Sequence, residues 1–306
     1  MTKVTLLDGG MGQELVHRSG KPAAPLWSTQ VMIDRPGLVG SVHADYLNAG
    51  ATVATTNTYA IHRDRLRSGR LNHYATAGDD LPDREHMLED LLTAALDETD
   101  VVRGRSRVAG AVGPLGASYR SDLHPDLATA TDLYAEVAKI LAPRVDLLIF
   151  ETIASVDAAR ACLAAGRQTN RPVWLAFTVD DEDGTTLRSG EPLSDVLGVA
   201  READAALANC SAPEVMRDAL DLLAATGLPT GAYGNGFTEI TKAFLAGGTT
   251  AAGLQARRDM GPAVYADHAL EWLDHGATII GGCCEVGPAH ISEIANRLRA
   301  AGHAIV

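Results

Sequence analysis

Short apolar, β-branched runs alternate along this chain with segments whose apolar positions recur every three to four residues. Eight runs stand out: VTLLDGG from Val4, ATVATTN from Ala51, RVAGAVG from Arg107, DLLIFET from Asp146, PVWLAFT from Pro172, AALANCS from Ala205, LPTGAYG from Leu228 and ATIIGGC from Ala277. Helical patterns such as SVDAARACLAAG and LSDVLGVAREA lie between them. The segment SAPEVMRDALDLLAATG opens with the spacing of a capping box, Ser211 then Glu214, and closes on Gly227. Strands alternating with helices imply a parallel sheet, and runs that are apolar throughout fit strands buried on both faces. Eight in succession predict an α/β protein whose residues 1–306 form a single (β/α)8 TIM-barrel domain. No G-x-G-x-x-G follows the first run, which weakens the dinucleotide-binding alternative. Two polar stretches interrupt the alternation. Residues 61–88 are predicted to loop over the barrel mouth, and DDEDGTTLRSGEP from Asp180 follows the fifth run.

Barrel enzymes carry their chemistry at the carboxyl ends of the strands. Those ends here hold Asp8-Gly9-Gly10, Thr55-Thr56-Asn57, Gly113-Pro114, Glu151-Thr152, Asn209-Cys210-Ser211, Tyr233-Gly234-Asn235 and Cys283-Cys284. Three of the four cysteines therefore fall at the predicted mouth. In a regular strand, neighbouring side chains point to opposite faces, so Cys283 and Cys284 could not share a ligand. The glycines at 281 and 282 permit a break in that alternation. Both thiolates can then converge with Cys210, giving three sulfurs and one open position, the zinc arrangement of a catalytic site. Adjacent cysteines are also compatible with a vicinal disulfide or with small buried hydrophobes. The fourth, Cys162, lies on the apolar stripe of a helical segment and is assigned to the core.

A zinc centre with three thiolates is anionic and poorly suited to activating water. It suits a thiol instead: a group with a pKa near ~8.5 becomes a thiolate when coordinated and stays nucleophilic. The chemistry implied is thiol alkylation.

Composition narrows the partners. A net charge of −13 disfavours nucleic acid and anionic membrane surfaces, and it favours cationic ligands. No run of 18 apolar residues and no secretory leader pattern is present, and few cysteines fit a reducing compartment. The expected location is cytoplasmic.

The stretches LLDGGMGQEL, HADYLNAGATVATTNTYA, AVGPLGASY, FETI, NCS and GGCCEVGPAHI together resemble the zinc-dependent homocysteine S-methyltransferases, from residue 6 to residue 291. That resemblance implies a single (β/α)8 barrel whose zinc is held by Cys210, Cys283 and Cys284, with the homocysteine sulfur in the open position. It places Asp8, Gly9, Gly10, Thr56 and Glu151 at the amino-acid end of homocysteine, Glu151 pairing with the ammonium. Relatives often carry Tyr-Pro-Asn-x-Gly at the seventh strand. Here Tyr233-Gly234-Asn235-Gly236-Phe237 keeps the asparagine, a further substrate-side or resting metal contact, and lacks the proline. Among the aromatics Trp27, Tyr59, Tyr119 and Phe177, one or two are expected to face a cationic donor. His43 and Tyr46 are assigned to helix packing.

The activity implied is methyl transfer from a small cationic donor, a sulfonium such as S-methylmethionine or S-adenosylmethionine, to homocysteine, giving methionine. The donor alternative is glycine betaine or another onium compound. An alternative of another class is a non-catalytic zinc-thiolate protein that binds thiols, or one subunit of a larger methyltransferase. A barrel lyase is disfavoured because Lys139 and Lys242 sit in helix-like segments. A monomer or small homo-oligomer is expected.

Overall fold

The computed structural model describes residues 2–67, 73–74 and 82–306. Eight parallel strands follow one another in chain order: β1 (Lys3–Leu6), β2 (Val53–Thr55), β3 (Arg107–Val112), β4 (Leu147–Ile153), β5 (Val173–Phe177), β6 (Ala205–Asn209), β7 (Thr230–Tyr233) and β8 (Ala277–Ile280). Each matches one of the eight apolar runs. β8 pairs with β1 through Thr5 and Ile279, and the bridge between Leu7 and Val53 joins β1 to β2, so the ring closes. The predicted (β/α)8 barrel is the observed fold.

Strand parity explains why the runs are apolar without interruption. Leu147 and Ile149, Trp174 and Ala176, and Ala205 and Leu207 point into the barrel with Leu7, Val53 and Ile279. The alternate residues Leu148, Phe150, Leu175, Phe177, Ala206 and Ala208 point outward against the helices. Both faces are therefore dry, and no position in the middle of these strands tolerates a charge. The helix Val156–Gly166 shows the local logic: Ser155 Oγ accepts from Ala158 N at 3.2 Å and caps its start, while Ala159, Cys162 and Leu163 are buried along its inner stripe.

One expectation is corrected here. Ser211 and Glu214 form no capping box. Ser211 Oγ instead accepts from Val179 N at 2.9 Å and donates to Val179 O at 2.9 Å, tying the end of β6 to the end of β5. Glu214 pairs outward with Arg257 at 2.7 Å. The chain also ends in a ninth strand, β9 (Ala304–Ile305), laid parallel to the start of β1. His43 and Tyr46 are buried as expected, bonded to Thr99 and to the Val286 carbonyl. Among the described residues, no helix is long and apolar enough to cross a membrane.

Candidate metal centre and its cavity

The two chain segments that carry the cysteines are bent at the ends of their strands. After β6, Cys210 adopts φ +53° while its N–H bonds Tyr233 O at 3.1 Å, and Asn209 Oδ1 accepts from Thr152 N at 2.9 Å. After β8, a Cβ on Gly281 would lie 2.5 Å from Leu7 Cβ, and one on Gly282 would lie 2.1 Å from Val286 Cγ1. Only glycine fits at either position. The turn that follows is closed by Val286 N to Cys283 O at 3.1 Å, with Glu285 at φ +65°. Strand alternation is lost at that turn, and the sulfurs of Cys210, Cys283 and Cys284 all lie within 4.8 Å of one another.

The fit to a metal can be tested on distance. Thiolates about 2.3 Å from a tetrahedral ion stand about 3.8 Å apart. Cys210 Sγ and Cys284 Sγ are 3.9 Å apart. The three thiols of Cys210, Cys283 and Cys284 therefore form a set that could hold a metal ion. Cys162 is buried far along its own helix and takes no part.

These sulfurs line a cavity shared with Asp8, Thr56, Glu151 and several aromatic rings. Glu151 reaches it from β4 and its Oε1 accepts from the Tyr233 hydroxyl at 2.9 Å. It neither caps the following helix nor pairs with an arginine. Burial pushes its carboxyl up to about 8, against the pull of the Tyr233 bond. Asp8 accepts from Thr55 N and from the Thr55 hydroxyl, both at 2.8 Å, and burial pushes it up to about 7 in spite of them.

The turn Asp8-Gly9-Gly10 is partly committed to the fold, because Gly10 N donates to Val286 O at 2.9 Å. Thr56 is likewise committed: its hydroxyl accepts from Ala111 N at 3.0 Å and meets Thr58 Oγ1 at 2.6 Å. Asn235 is not brought into the cavity wall. Its Oδ1 accepts from Phe237 N at 3.0 Å. Gly234 stands beside Pro213, where an added Cβ would meet the Pro213 ring at 3.1 Å.

The aromatic wall is richer than the sequence suggested. Trp27, Tyr59 and Tyr119 line the cavity, whereas Phe177 is packed outward in the core. Trp27 is set by its indole bond to Gln13 Oε1 at 2.8 Å, and Gln13 donates to Glu285 Oε1 at 2.6 Å. Tyr74, Arg65, Phe237 and Phe244 join them. Part of the stretch 61–88, expected to cover the mouth, lies outside the described residues. A second cover went unrecognised, the excursion after β7. It is pinched at its base by Arg257 N to Gly236 O at 2.7 Å, and it seats Phe244 5.7 Å from the Tyr74 ring. No local signal in the sequence ties Phe244 to Tyr74; the two are far apart in the chain.

A closed parallel barrel with three convergent thiols at its carboxyl end, next to one buried and one half-buried carboxylate and an aromatic wall, defines a thiol-site barrel protein. The particular family follows from comparison. The model for homocysteine S-methyltransferases matches residues 5–298, and the chain belongs to that family.

The homocysteine S-methyltransferase of Escherichia coli is 30% identical over 96% of this chain and 95% of its own length. Homocysteine S-methyltransferase 4 of Zea mays is 29% identical over 97% of this chain and 90% of its own. The crystal structure of the metallated form of the Escherichia coli homocysteine methyltransferase MmuM superimposes with a TM-score of 0.75 at 27% identity. It covers 97% of this chain and 96% of that one.

Proposed function

We propose that this protein, with residues 1–306 acting as one barrel domain in a reducing compartment, transfers a methyl group from a sulfonium donor to homocysteine, yielding methionine. The observation that carries the reading is the convergence of Cys210, Cys283 and Cys284 in a cavity that also holds Glu151, Asp8 and a set of aromatic faces. We propose zinc as the ion. When bound, it supplies a fourth position in which a thiol is held as its anion.

The chain's own residues do the rest. Glu151 is the counter-charge for the homocysteine ammonium. Tyr233 orients it through the bond to Oε1, and Asp8 adds a second acceptor from the lone pairs that Thr55 leaves open. The aromatic wall of Trp27, Tyr59 and Tyr74 offers ring faces to a cationic donor and excludes water. With both substrates so aligned, the homocysteine sulfur displaces a neutral thioether from the donor methyl in line, so alignment lowers the barrier and no protein base is needed.

The test is methionine formation by reduced, zinc-loaded protein offered S-methylmethionine, S-adenosylmethionine, dimethylsulfoniopropionate and glycine betaine separately, with Cys283→Ser as control. Turnover with a sulfonium, lost in the variant along with bound zinc, supports the reading. Turnover with betaine alone overturns the donor, and silence with every donor overturns the activity.

A further inference from the structure

Four sulfurs around one ion stand only about 3.8 Å apart, so a donor that reaches the substrate sulfur is close to the cysteine sulfurs as well. All three cysteines line the same cavity as the donor wall. Methylation of a cysteine would be terminal. Its Sγ would form an S–CH3 bond as the donor's S–CH3 bond breaks, the electron pair leaving with a neutral thioether. The product, S-methylcysteine, is a neutral and weak metal ligand.

Cys210 is set apart from the other two by a phenol. The Tyr119 hydroxyl lies 2.9 Å from Cys210 Sγ. A metal-held thiolate carries no proton, so the phenol is the donor in this bond. Tyr119 is held there at φ +65°, a strained conformation for a tyrosine that persists only where its surroundings over-determine it. Those surroundings are visible. The Arg188 guanidinium lies 5.3 Å from the ring centroid, Phe244 packs on the ring at 6.4 Å, and Asp181 fixes Arg188 at 2.7 Å. A cation over the ring face draws electron density from the phenol and strengthens it as a donor.

Resting on the methyltransferase reading above, we propose that Tyr119 is a protecting residue. Its hydrogen bond occupies a lone pair of Cys210, lowers the nucleophilicity of that sulfur, and directs the methyl group to the substrate. Arg188, on the polar excursion after β5, is the positioning residue that holds and polarises the phenol.

The experiment follows the fate of Cys210 during turnover. Zinc-loaded wild type, Tyr119→Phe and Arg188→Met are incubated with homocysteine and S-methylmethionine. The peptide containing Cys210 is mapped by mass spectrometry, and released zinc is read with a chromophoric chelator. In Tyr119→Phe, the fraction of Cys210 methylated per turnover is expected to rise at least about tenfold, the scale of one charge-assisted bond, with one zinc lost per methyl gained. Arg188→Met moves in the same direction by less, and it carries the test if Tyr119→Phe does not fold. Tyr134→Phe removes a buried phenol outside the cavity, whose oxygen accepts from Leu115 N at 3.2 Å, and is expected to leave Cys210 at the wild-type level of modification. In cobalt-substituted protein, loss of the bond shifts the sulfur-to-metal charge-transfer band to lower energy. Unmodified Cys210 in Tyr119→Phe after equal turnovers, or methylation falling first on Cys283 or Cys284, overturns the proposal. Wild type that makes no methionine overturns the functional reading instead, before Tyr119 is in question.

Discussion

Proton release on product binding tests the role of Glu151 most directly. With no ligand bound, burial holds its carboxyl at about 8, so at pH 7 about nine-tenths of the population is protonated. An amino-acid ammonium beside it reverses that preference, because an opposite charge within hydrogen-bond range stabilises the carboxylate. Methionine is the useful ligand, since its thioether has no titrating proton and any release comes from the protein. Binding at pH 7 is expected to release about 0.9 proton from Glu151, about 0.5 at pH 8 and little at pH 9. Affinity tightens about 50-fold from pH 6 to pH 8 by the same linkage. Calorimetry in buffers of different ionisation enthalpy reads the release as a slope. Glu151→Gln should remove that share of the release, leaving only what Asp8 contributes as it titrates through about 7, and weaken binding roughly 10- to 100-fold, the range of a lost charged hydrogen bond. Unchanged proton release in Glu151→Gln, or none in the wild type, would refute the assignment of the ammonium to this residue.

The remaining predictions concern the scaffold around the site. Gly12 lies under Trp27, where an added Cβ would meet the indole at 2.3 Å. Gly12→Ala is expected to displace the ring and raise the donor KM more than the homocysteine KM, with a stability cost of about 1–3 kcal/mol for overpacking, checked by indole fluorescence and thermal melts. Ser211→Ala should cost about 1–3 kcal/mol because it strands Val179 N, while Glu214→Ala should be close to neutral, whereas a capping box would make both residues contribute. Asp8 and Glu151 both titrate higher in the fold than in the unfolded chain, so their protonated forms stabilise it. That contribution is full below about pH 4 and is lost as pH rises through about 7 and then 8. Thermal stability of the ligand-free protein, followed by calorimetry, should therefore fall between pH 5 and pH 9, and saturating methionine should reduce the fall.

The barrel was legible because its strands are buried on both faces, which forces apolar runs that cannot be mistaken for surface elements, and eight of them recur in order. The convergence of three cysteines was legible for a related reason. A pair of adjacent thiols after two glycines, at a strand end, cannot keep the alternation of a strand, and the structure shows why: there is no room for a Cβ at Gly281 or Gly282. Local reasoning failed where a residue's partner lies far off in the chain. Ser211 has the spacing of a helix cap, yet its hydroxyl is claimed by the neighbouring strand end at Val179.

What the sequence by itself determined was the alternation of strands and helices, the ring they build and the set of residues delivered to its carboxyl rim, since each depends on periodicities a few residues long. The tertiary structure alone decided which of those residues remain free for chemistry. Gly10 and Thr56 are largely spent on Val286 and Ala111, and Glu151 is left with the Tyr233 hydroxyl. The Tyr119 phenol is brought onto Cys210, 91 positions away, with Arg188 behind it. Hydrogen-bond capacity is finite, and its allocation is set by distances between loops that only closure of the barrel brings together.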